Sequence, residues 1–358
     1  MPDEGPTVPA EILKSWLGEV FTRAGMPADD AAIEAECLLA AHFRGFDTHG
    51  VPCVPPYIEC LRAGRINPRP AIRIQRRSPW AIAVDGNNGM GHVVATRAMR
   101  AAIEAADEIG IGVACVRHSN HFGAACIYPM MALESDCIGV AMANAAPNVV
   151  PWGSREPLLG TNPIAVAVPA GRHPPFVFDM ATSVVARRKI RIAAEADQPI
   201  PEGWAVDAEG RPATTARAAM KGSLLPFGGA KGSALAMLSD VLAGVMTGAQ
   251  FAGTVLSTYT NHEREVDSGN LLVAMKVASF MPVAAFKRRM DTLIERVGTL
   301  SPAEGFDEVR MAGARGAALE RERRKFGIPL AARSAAEMAR IGEDLGVPFP
   351  AQSTMRPD

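Results

Sequence analysis

Apolar residues recur at helical spacing near both ends of the chain and in short runs between them. Across residues 9–24 the spacing predicts an amphipathic helix that Gly25 ends. A second helix is predicted from Pro27 to about Thr48–Gly50, because the prolines that follow cannot continue it smoothly. The polar segment RGFDTHG, residues 44–50, is therefore expected at a helix end, where its side chains are free to point into a cleft.

Short apolar runs alternate with helical spacing from Trp80 onward. The predicted strands are AIAVDG, IGVACVRHS, IGVAMAN, PIAVAVPA and PFVFDMA. Helices are predicted between the first of these strands, one of them over HFGAACIYPMMALES, residues 121–135. This alternation indicates an α/β fold. After Pro226 helical spacing returns, interrupted by one more predicted strand, LLVAMKVASF.

One glycine-rich turn is a candidate for a phosphate site. Gly89-Met90-Gly91 follows a predicted strand and opens a helix, and helix N-termini attract phosphate. A Rossmann fingerprint also requires a third glycine at a set spacing and an acidic residue after the next strand. Here the third glycine is missing and the next strand ends in Arg117-His118. The pattern favours an ordinary glycine-rich helix start over a Rossmann nucleotide site.

Composition and charge exclude several classes of protein. The 358 residues carry a formal net charge of −1 and no basic run with interleaved aromatics, so no nucleic-acid partner is expected. No stretch reaches the ~18 continuous apolar residues of a membrane span, and the acidic start is unlike a signal peptide. The six cysteines are scattered without a CxxC pair, which predicts buried thiols in a cytoplasmic protein and no metal site.

Three polar segments stand apart from the core pattern, at residues 44–50, 118–123 and 152–163. All are predicted at element ends or in loops, where functional residues concentrate. A histidine beside a hydroxyl residue, as in Thr48-His49, suits proton transfer because its pKa lies near working pH. A lone histidine is more often a capping or packing residue. Three such segments in one chain shift the balance toward a catalytic site.

Longer motifs carry a family resemblance. They are RGFDTHGV (44–51), DGNNGMG (85–91), SNHFGAA (119–125), PWGSREPLLGTNPIAVAVP (151–169), FDMATSVVARRKI (178–190), IPEGWAVDAEGRP (200–212), LLPFGGAKGSALAMLSDVL (224–242) and FGIPL (326–330). In this order they resemble the malate/L-lactate dehydrogenase family of the second type, also called sulfolactate dehydrogenase-like. That family also holds ureidoglycolate and diketogulonate dehydrogenases and piperideine/pyrroline-2-carboxylate reductases.

The resemblance implies a non-Rossmann α/β fold, in agreement with the failed fingerprint. A cofactor domain built on a mixed sheet is expected beside a helical domain formed by both chain ends, in a homodimer whose sites lie between subunits. On this chain the expected divisions are a helical part over 1–75, an NAD(P)-binding mixed-sheet domain over 76–225, a return to the helical domain with some sheet over 226–335, and a tail over 336–358.

The resemblance also implies hydride transfer between NAD or NADP and a small acid, interconverting a 2-hydroxy acid and a 2-oxo acid. A cyclic imino-acid reductase and a non-catalytic NAD(P)-binding homologue remain alternatives. By analogy His49 is the acid/base and Thr48 its hydrogen-bonding neighbour. In some members the position of His121 transfers the proton, and otherwise it lines the cofactor site. Thr161 matches a substrate-contact position. The positions assigned to cofactor contacts by this resemblance are His121, Phe122, Gly123, Ala124, Ala125, Asp179, Met180, Ala181, Arg188, Lys189 and Ala230.

The chain departs from the family pattern near this site. The family usually has an arginine four residues after the acid/base histidine, where it binds the substrate carboxylate, and here that position is Cys53. A thiol cannot make the forked, charge-assisted pair that a guanidinium makes. Arg188 stands where the family has glycine, and Ala230 where a larger residue is common. Arg44 and Arg155 are the candidates for the missing charge. Alternatively, the substrate lacks a carboxylate at that place, or the protein has lost the ancestral activity.

Overall fold

The computed structural model describes residues 4–260 and 264–350, so residues 351–358 of the expected tail lie outside the described residues. The strands are β1 Glu4–Val8, β2 Arg73–Arg76, β3 Ala81–Asp85, β4 Ile111–Ser119, β5 Cys137–Ala143, β6 Ile164–Val168, β7 Phe176–Met180, β8 Ala205–Val206, β9 Ser223–Leu224, β10 Ser268–Lys276 and β11 Ile328–Ala331. The α-helices are α1 Ala10–Arg23, α2 Ala28–Phe43, α3 Val54–Arg62, α4 Gly91–Ile109, α5 Ile127–Met131, α6 Arg187–Glu195, α7 Ala216–Lys221, α8 Ala230–Asp240, α9 Val283–Gly298, α10 Ala314–Phe326 and α11 Ala332–Leu345.

A seven-stranded mixed sheet forms the centre, in the order β2-β3-β4-β10-β5-β6-β7. The pair β3–β4 is parallel, with Ala81 opposite Val113, and the other neighbouring pairs are antiparallel. A doubly wound dinucleotide fold needs a mostly parallel sheet. The expected non-Rossmann α/β fold is therefore confirmed. Strand β10, from the last third of the chain, lies between β4 and β5.

Helix α4 covers one face of this sheet with a row of small residues. Ala98, Ala102 and Ala105 are fully buried there, and so is Ala114 on β4. The approach is close enough that a side chain at Gly112 would meet the carbonyl oxygen of Ala102 at 2.0 Å. Alanine suits both requirements, because it favours the helix and leaves room for the strands.

A separate apolar cluster joins helices from both chain ends. Leu13 and Phe21 of α1 and Tyr57 of α3 share it with Met338 and Ile341 of α11. The sequence predicted a tail that is polar and at most helix-prone from about residue 331, whereas the structure has α11 there. The helix forms because its apolar residues recur on one face, which the rest of the cluster covers.

Two predicted helices differ from the structure. The helix expected over 121–135 is reduced to α5, Ile127–Met131, and residues 120–124 carry no regular structure. Gly123 has a φ of +72°, which a helix cannot accommodate. The helix predicted after Pro226 begins as α8 and changes to a π-helical turn at Val241–Val245. In the described part of the chain, no helix combines the length and hydropathy needed to cross a bilayer.

Candidate active site

The segment with the candidate acid/base follows an abrupt helix end. Sequence reasoning extended the second helix to Thr48–Gly50, and this was wrong, because α2 ends at Phe43. The amide of Gly45 donates to His42 O and that of Phe46 to Ala41 O, the two bonds of a Schellman motif. Gly45 supplies the left-handed conformation, with φ +80°. Two 3₁₀ turns, Asp47–His49 and Val51–Cys53, then lead into α3.

The buried side chain of His42 holds these two turns in place through hydrogen bonds. The side chain of His42 is 2% exposed, and its Nε2 accepts a hydrogen bond from the amide of Val51 at 2.9 Å. The proton of this ring must therefore lie on Nδ1, which donates to Asp47 Oδ1 at 3.1 Å. A side chain at Gly50 would meet His42 Cδ2 at 2.3 Å. Glycine is thus required where the turn crosses the ring.

Arg323 of α10 completes this support. Its guanidinium donates to both carboxylate oxygens of Asp47 and to the carbonyl oxygen of His42. Burial alone raises the pKa of Asp47, but the hydrogen bonds from His42 and Arg323 outweigh burial and hold this pKa at about 2. Asp47 is therefore ionised at neutral pH, and three side chains from two distant parts of the chain hold the turn that carries His49.

His49 lies at the end of this turn and faces a second imidazole. Its Nδ1 is 2.9 Å from Thr48 Oγ1, and its ring stacks on that of His121 with centroids 5.7 Å apart and planes 20° apart. Burial, and to a smaller extent the positive charges of His92 and Arg188, lower the pKa of His49 to about 4. Burial is also the main reason that the pKa of His121 lies well below its usual value. Repulsion from a protonated His49 lowers this pKa as well. Both rings are neutral at pH 7.

His121 enters the site from the irregular segment after β4 and is held by two tyrosines. Its Nδ1 is 2.5 Å from the hydroxyl of Tyr57, which is fully buried on α3. The ring of Tyr259 meets it edge-on with centroids 5.7 Å apart. Sequence analysis identified neither tyrosine, and it did not identify His42 or Arg323. A polar residue on the buried face of a predicted helix was the available signal for His42.

Cys53 lies in the same pocket. It is 1% exposed, and its Sγ is 3.4 Å from Thr48 O and 3.6 Å from the hydroxyl of Tyr259. Burial raises the pKa of Cys53 to about 11, so the thiol is neutral. The structure therefore brings together Thr48, His49, Cys53 and His121 from the predicted set.

The matched cofactor positions form a second group around the end of β7. Phe122, Ala124 and Ala125 are buried, and the carboxylate of Asp179 accepts a hydrogen bond from the amide of Cys126 at 2.8 Å. Burial raises the pKa of Asp179 in spite of that bond. Gly123 lies against His92, because a side chain there would meet the Nε2 of that ring at 2.1 Å. Next along the chain from Asp179, Met180 and Ala181 are partly buried.

Of the two arginines proposed to replace the missing charge, Arg44 is hydrogen-bonded to other residues and Arg155 is largely exposed to solvent. Arg44 is buried and donates to Glu320 at 3.4 Å and to the carbonyl oxygen of Gly313 at 3.2 Å. The side chain of Arg155 is 72% exposed, and its charged neighbour is Glu156. Within the described part of the chain, neither side chain takes part in the hydrogen bonds and ring contacts around His49.

The other predicted positions lie on the segments after β6 and β7. The carbonyl oxygen of Thr161 accepts two hydrogen bonds from Thr182. Arg188 is partly buried and Lys189 exposed in the first turn of α6, and Ala230 opens α8. Among the described residues, no cluster of histidine, cysteine and carboxylate side chains has the arrangement of a metal site.

Comparison with known proteins places this geometry in a family. The malate/L-lactate dehydrogenase family matches residues 8–339. The L-sulfolactate dehydrogenase of Methanocaldococcus jannaschii is 40% identical over 294 residues, which cover 82% of this chain and 85% of the relative. The malate dehydrogenase of Pyrococcus abyssi is 36% identical over 348 residues, 95% of each chain.

Solved structures agree with this match. The sulfolactate dehydrogenase structure from Methanocaldococcus jannaschii superimposes with a TM-score of 0.90 at 37% identity, covering 96% of this chain and 98% of that one. The match therefore includes the mixed sheet and the helices from both chain ends. The resemblance drawn from the motifs is confirmed, and the chain is an oxidoreductase that belongs to the malate/L-lactate dehydrogenase family.

Proposed function

We propose that this protein transfers a hydride between NAD or NADP and a small 2-hydroxy acid, producing the 2-oxo acid in the oxidative direction. The observation that carries the proposal is the pair of stacked, neutral imidazoles of His49 and His121 in one pocket. A hydroxyl group that loses hydride must also lose a proton. A neutral imidazole at the end of a held turn is suited to take it.

The hydrogen bonds around the two histidines favour different roles for them. Burial raises the pKa of Tyr57 well above its usual value, so its hydroxyl stays protonated and donates to Nδ1 of His121. The proton of the neutral His121 ring then lies on Nε2, which makes that atom a hydrogen-bond donor. At His49 the role of base requires that the exposed hydroxyl of Thr48 accept from Nδ1–H, which leaves the Nε2 lone pair free. His49 is therefore the base in oxidation, and His121 orients the reacting groups.

The chemistry of the donor set fits a dinucleotide. Lys189 in the first turn of α6 and Lys231 in the first turn of α8 are exposed and have no ion-pair partner among the described residues. Such cations at helix N-termini suit the negative charge of a pyrophosphate. Residues 121–125 and 179–181 would hold the rest of the cofactor. The cofactor, when bound, supplies or accepts the hydride.

An apolar stripe supports the expected homodimer. Met237, Leu238 and Val241 of α8 and its π-helical extension are 43–49% exposed, and Val245 and Met246 are 51–52% exposed. They recur at helical spacing, so one face of this segment presents apolar surface to solvent, as interfaces do. We further propose that this face is shared between two copies in the cytoplasm. Light scattering that finds a fully active monomer at assay concentration would contradict it.

The test is a substrate panel with two variants. The wild-type protein is expected to bind NADH or NADPH, measured by fluorescence titration, and to reduce at least one 2-oxo acid. His49→Asn should abolish turnover while cofactor affinity stays within about twofold, because the cofactor is held elsewhere. His121→Asn should impair both.

Three results would change the proposal. Turnover of Δ1-piperideine-2-carboxylate in preference to all oxo acids would identify an imine reductase. Cofactor binding without turnover across the panel would identify a non-catalytic homologue. An active His49→Asn variant beside an inactive His121→Asn variant would reverse the two roles.

A further inference from the structure

Tyr259 brings a phenol to the pocket of His49 and His121 from a distant part of the chain. It lies on the irregular segment before β10. The carbonyl oxygen of the preceding residue, Thr258, accepts a hydrogen bond from the thiol of Cys60 on α3 at 3.6 Å. The ring of Tyr259 meets that of His121 edge-on, with centroids 5.7 Å apart. These contacts place the phenol directly against one of the two imidazoles.

The hydroxyl of Tyr259 differs from the other hydroxyls of the pocket in what it contacts. Those of Thr48 and Tyr57 each face a histidine nitrogen, at 2.9 Å and 2.5 Å. Among the described residues, the hydroxyl of Tyr259 faces the sulfur of Cys53 at 3.6 Å and has no other partner. It is therefore the hydroxyl of this group that no histidine engages.

The hydrogen of this phenol is held weakly. The thiol of Cys53 donates its single hydrogen to the carbonyl oxygen of Thr48, 3.4 Å from Sγ. The phenol must then donate to the sulfur, which is a weak acceptor. Burial of the hydroxyl raises the pKa of Tyr259 well above its usual value, so the hydrogen stays on the oxygen at neutral pH. The side chain as a whole is 50% exposed, so a ligand that enters from solvent meets it.

The contact between Cys53 and Tyr259 bears on the arginine that the family pattern has at position 53. Cys53 is 1% exposed, and its sulfur lies against both the carbonyl oxygen of Thr48 and the phenol. Protein interiors are close-packed, so the much longer side chain of an arginine fits here only if the phenol moves. The thiol and the phenol together therefore fill the space that a guanidinium at this position requires.

We propose that the hydroxyl of Tyr259 donates a hydrogen bond to the carboxylate of the acid substrate, as a neutral replacement for that guanidinium. This inference rests on the proposed function. In a 2-hydroxy acid the carboxylate and the reacting hydroxyl stand on adjacent carbons, so the group that binds the first must lie close to the histidines that serve the second. Tyr259 meets this requirement through its contact with His121. An ionised carboxylate is a stronger acceptor than a thiol, so the phenol hydrogen turns from Cys53 to the substrate.

A neutral donor has a consequence for specificity. A guanidinium strongly favours a carboxylate, because the two form a forked, charge-assisted pair. A single phenol hydroxyl also donates to the carbonyl oxygen of an amide. The wild-type enzyme should therefore reduce the amide of a 2-oxo acid with a kcat/KM within about tenfold of that for the acid itself.

The test measures anion binding apart from turnover. Oxalate is the probe, titrated calorimetrically into protein saturated with NADH or NADPH, whichever binds. Tyr259→Phe keeps the ring against His121 and should weaken oxalate binding by about 10–100-fold, the range for losing a hydrogen bond to a charged group. It should raise KM for the oxo acid to a similar degree, while kcat stays within about threefold. Thr260→Ala is the matched control, because this neighbouring residue is exposed and also loses a hydroxyl.

Three outcomes would overturn the assignment. The first is unchanged oxalate affinity in a Tyr259→Phe variant that has a wild-type circular dichroism spectrum. The second is weaker binding of NADH or NADPH by that variant, which would place the hydroxyl at the cofactor. The third is a preference of the wild-type enzyme for the acid over its amide that exceeds about tenfold, which would show that a cation binds the carboxylate.

Failure of the proposed function gives a different result. In that case the wild-type protein turns over no member of the acid panel and binds no oxalate, and the inference falls with it. A wild-type enzyme that is active on an oxo acid, together with a Tyr259→Phe variant of equal KM, overturns the assignment of Tyr259 alone.

Discussion

The low pKa of His49 predicts an unusual dependence of activity on pH. With a pKa of about 4, roughly one imidazole in a thousand is protonated at pH 7. Oxidation uses the neutral ring, so kcat/KM for the hydroxy acid should stay level from pH 5.5 to 8.5. Reduction uses the protonated ring, so kcat/KM for the oxo acid should fall about tenfold per pH unit across the same range.

The same shift predicts how stability depends on pH. An unfolded histidine has a pKa near 6.5, so the unfolded chain binds more protons than the folded chain between about pH 6.5 and 4. The contribution of neutral His49 to the free energy of unfolding is therefore fully present above pH 6.5, and it falls as the pH drops through this window. A pKa of about 4 in the folded chain against 6.5 in the unfolded chain corresponds to about 3 kcal/mol for His49. His121, whose pKa is lowered in the same direction, adds to the loss.

The assays are stopped-flow measurement of kcat/KM in both directions and urea unfolding at pH 8, 6 and 4.5. His49→Asn serves as the control for stability, because asparagine does not titrate and should flatten part of the slope. A break near pH 6.5 in either rate profile would refute the reasoning, since it would mean that the imidazole titrates as it does in water.

Other predictions concern the support of the turn and the histidine pair. Asp47→Asn removes the charge that Arg323 binds, and should lower kcat about tenfold while NAD(P)H affinity, measured by fluorescence, stays constant; a change in cofactor affinity alone would contradict this. Gly50→Ala should destabilise the fold by about 2–4 kcal/mol in urea unfolding, because the new methyl group would meet His42 at 2.3 Å. Tyr57→Phe leaves Nδ1 of His121 without its donor and should cost about 1–2 kcal/mol. An unchanged unfolding midpoint would show that this bond is not important for stability.

Local sequence was sufficient where a structure depends on neighbouring residues. Alternating apolar runs predicted most strands of the central sheet, including β10. The failed fingerprint at Gly89-Met90-Gly91 and the motifs together predicted a fold other than Rossmann. The ends of helices were predicted less well than the strands. Gly45 ends α2 through a Schellman motif that pattern reasoning overlooked, and Gly123 prevents the helix predicted over residues 121–135.

The sequence by itself determined which chemistry-bearing residues the chain possesses and which family they resemble. Thr48 and His49 are neighbours, so their hydrogen bond follows from local geometry. The rest of the site was decided by tertiary structure. Arg323 reaches Asp47 across 276 positions, and Tyr259 comes to Cys53 from another part of the chain. Such pairs are invisible to spacing, because the sheet order and the shared clusters, which involve the whole chain, set the distance between them.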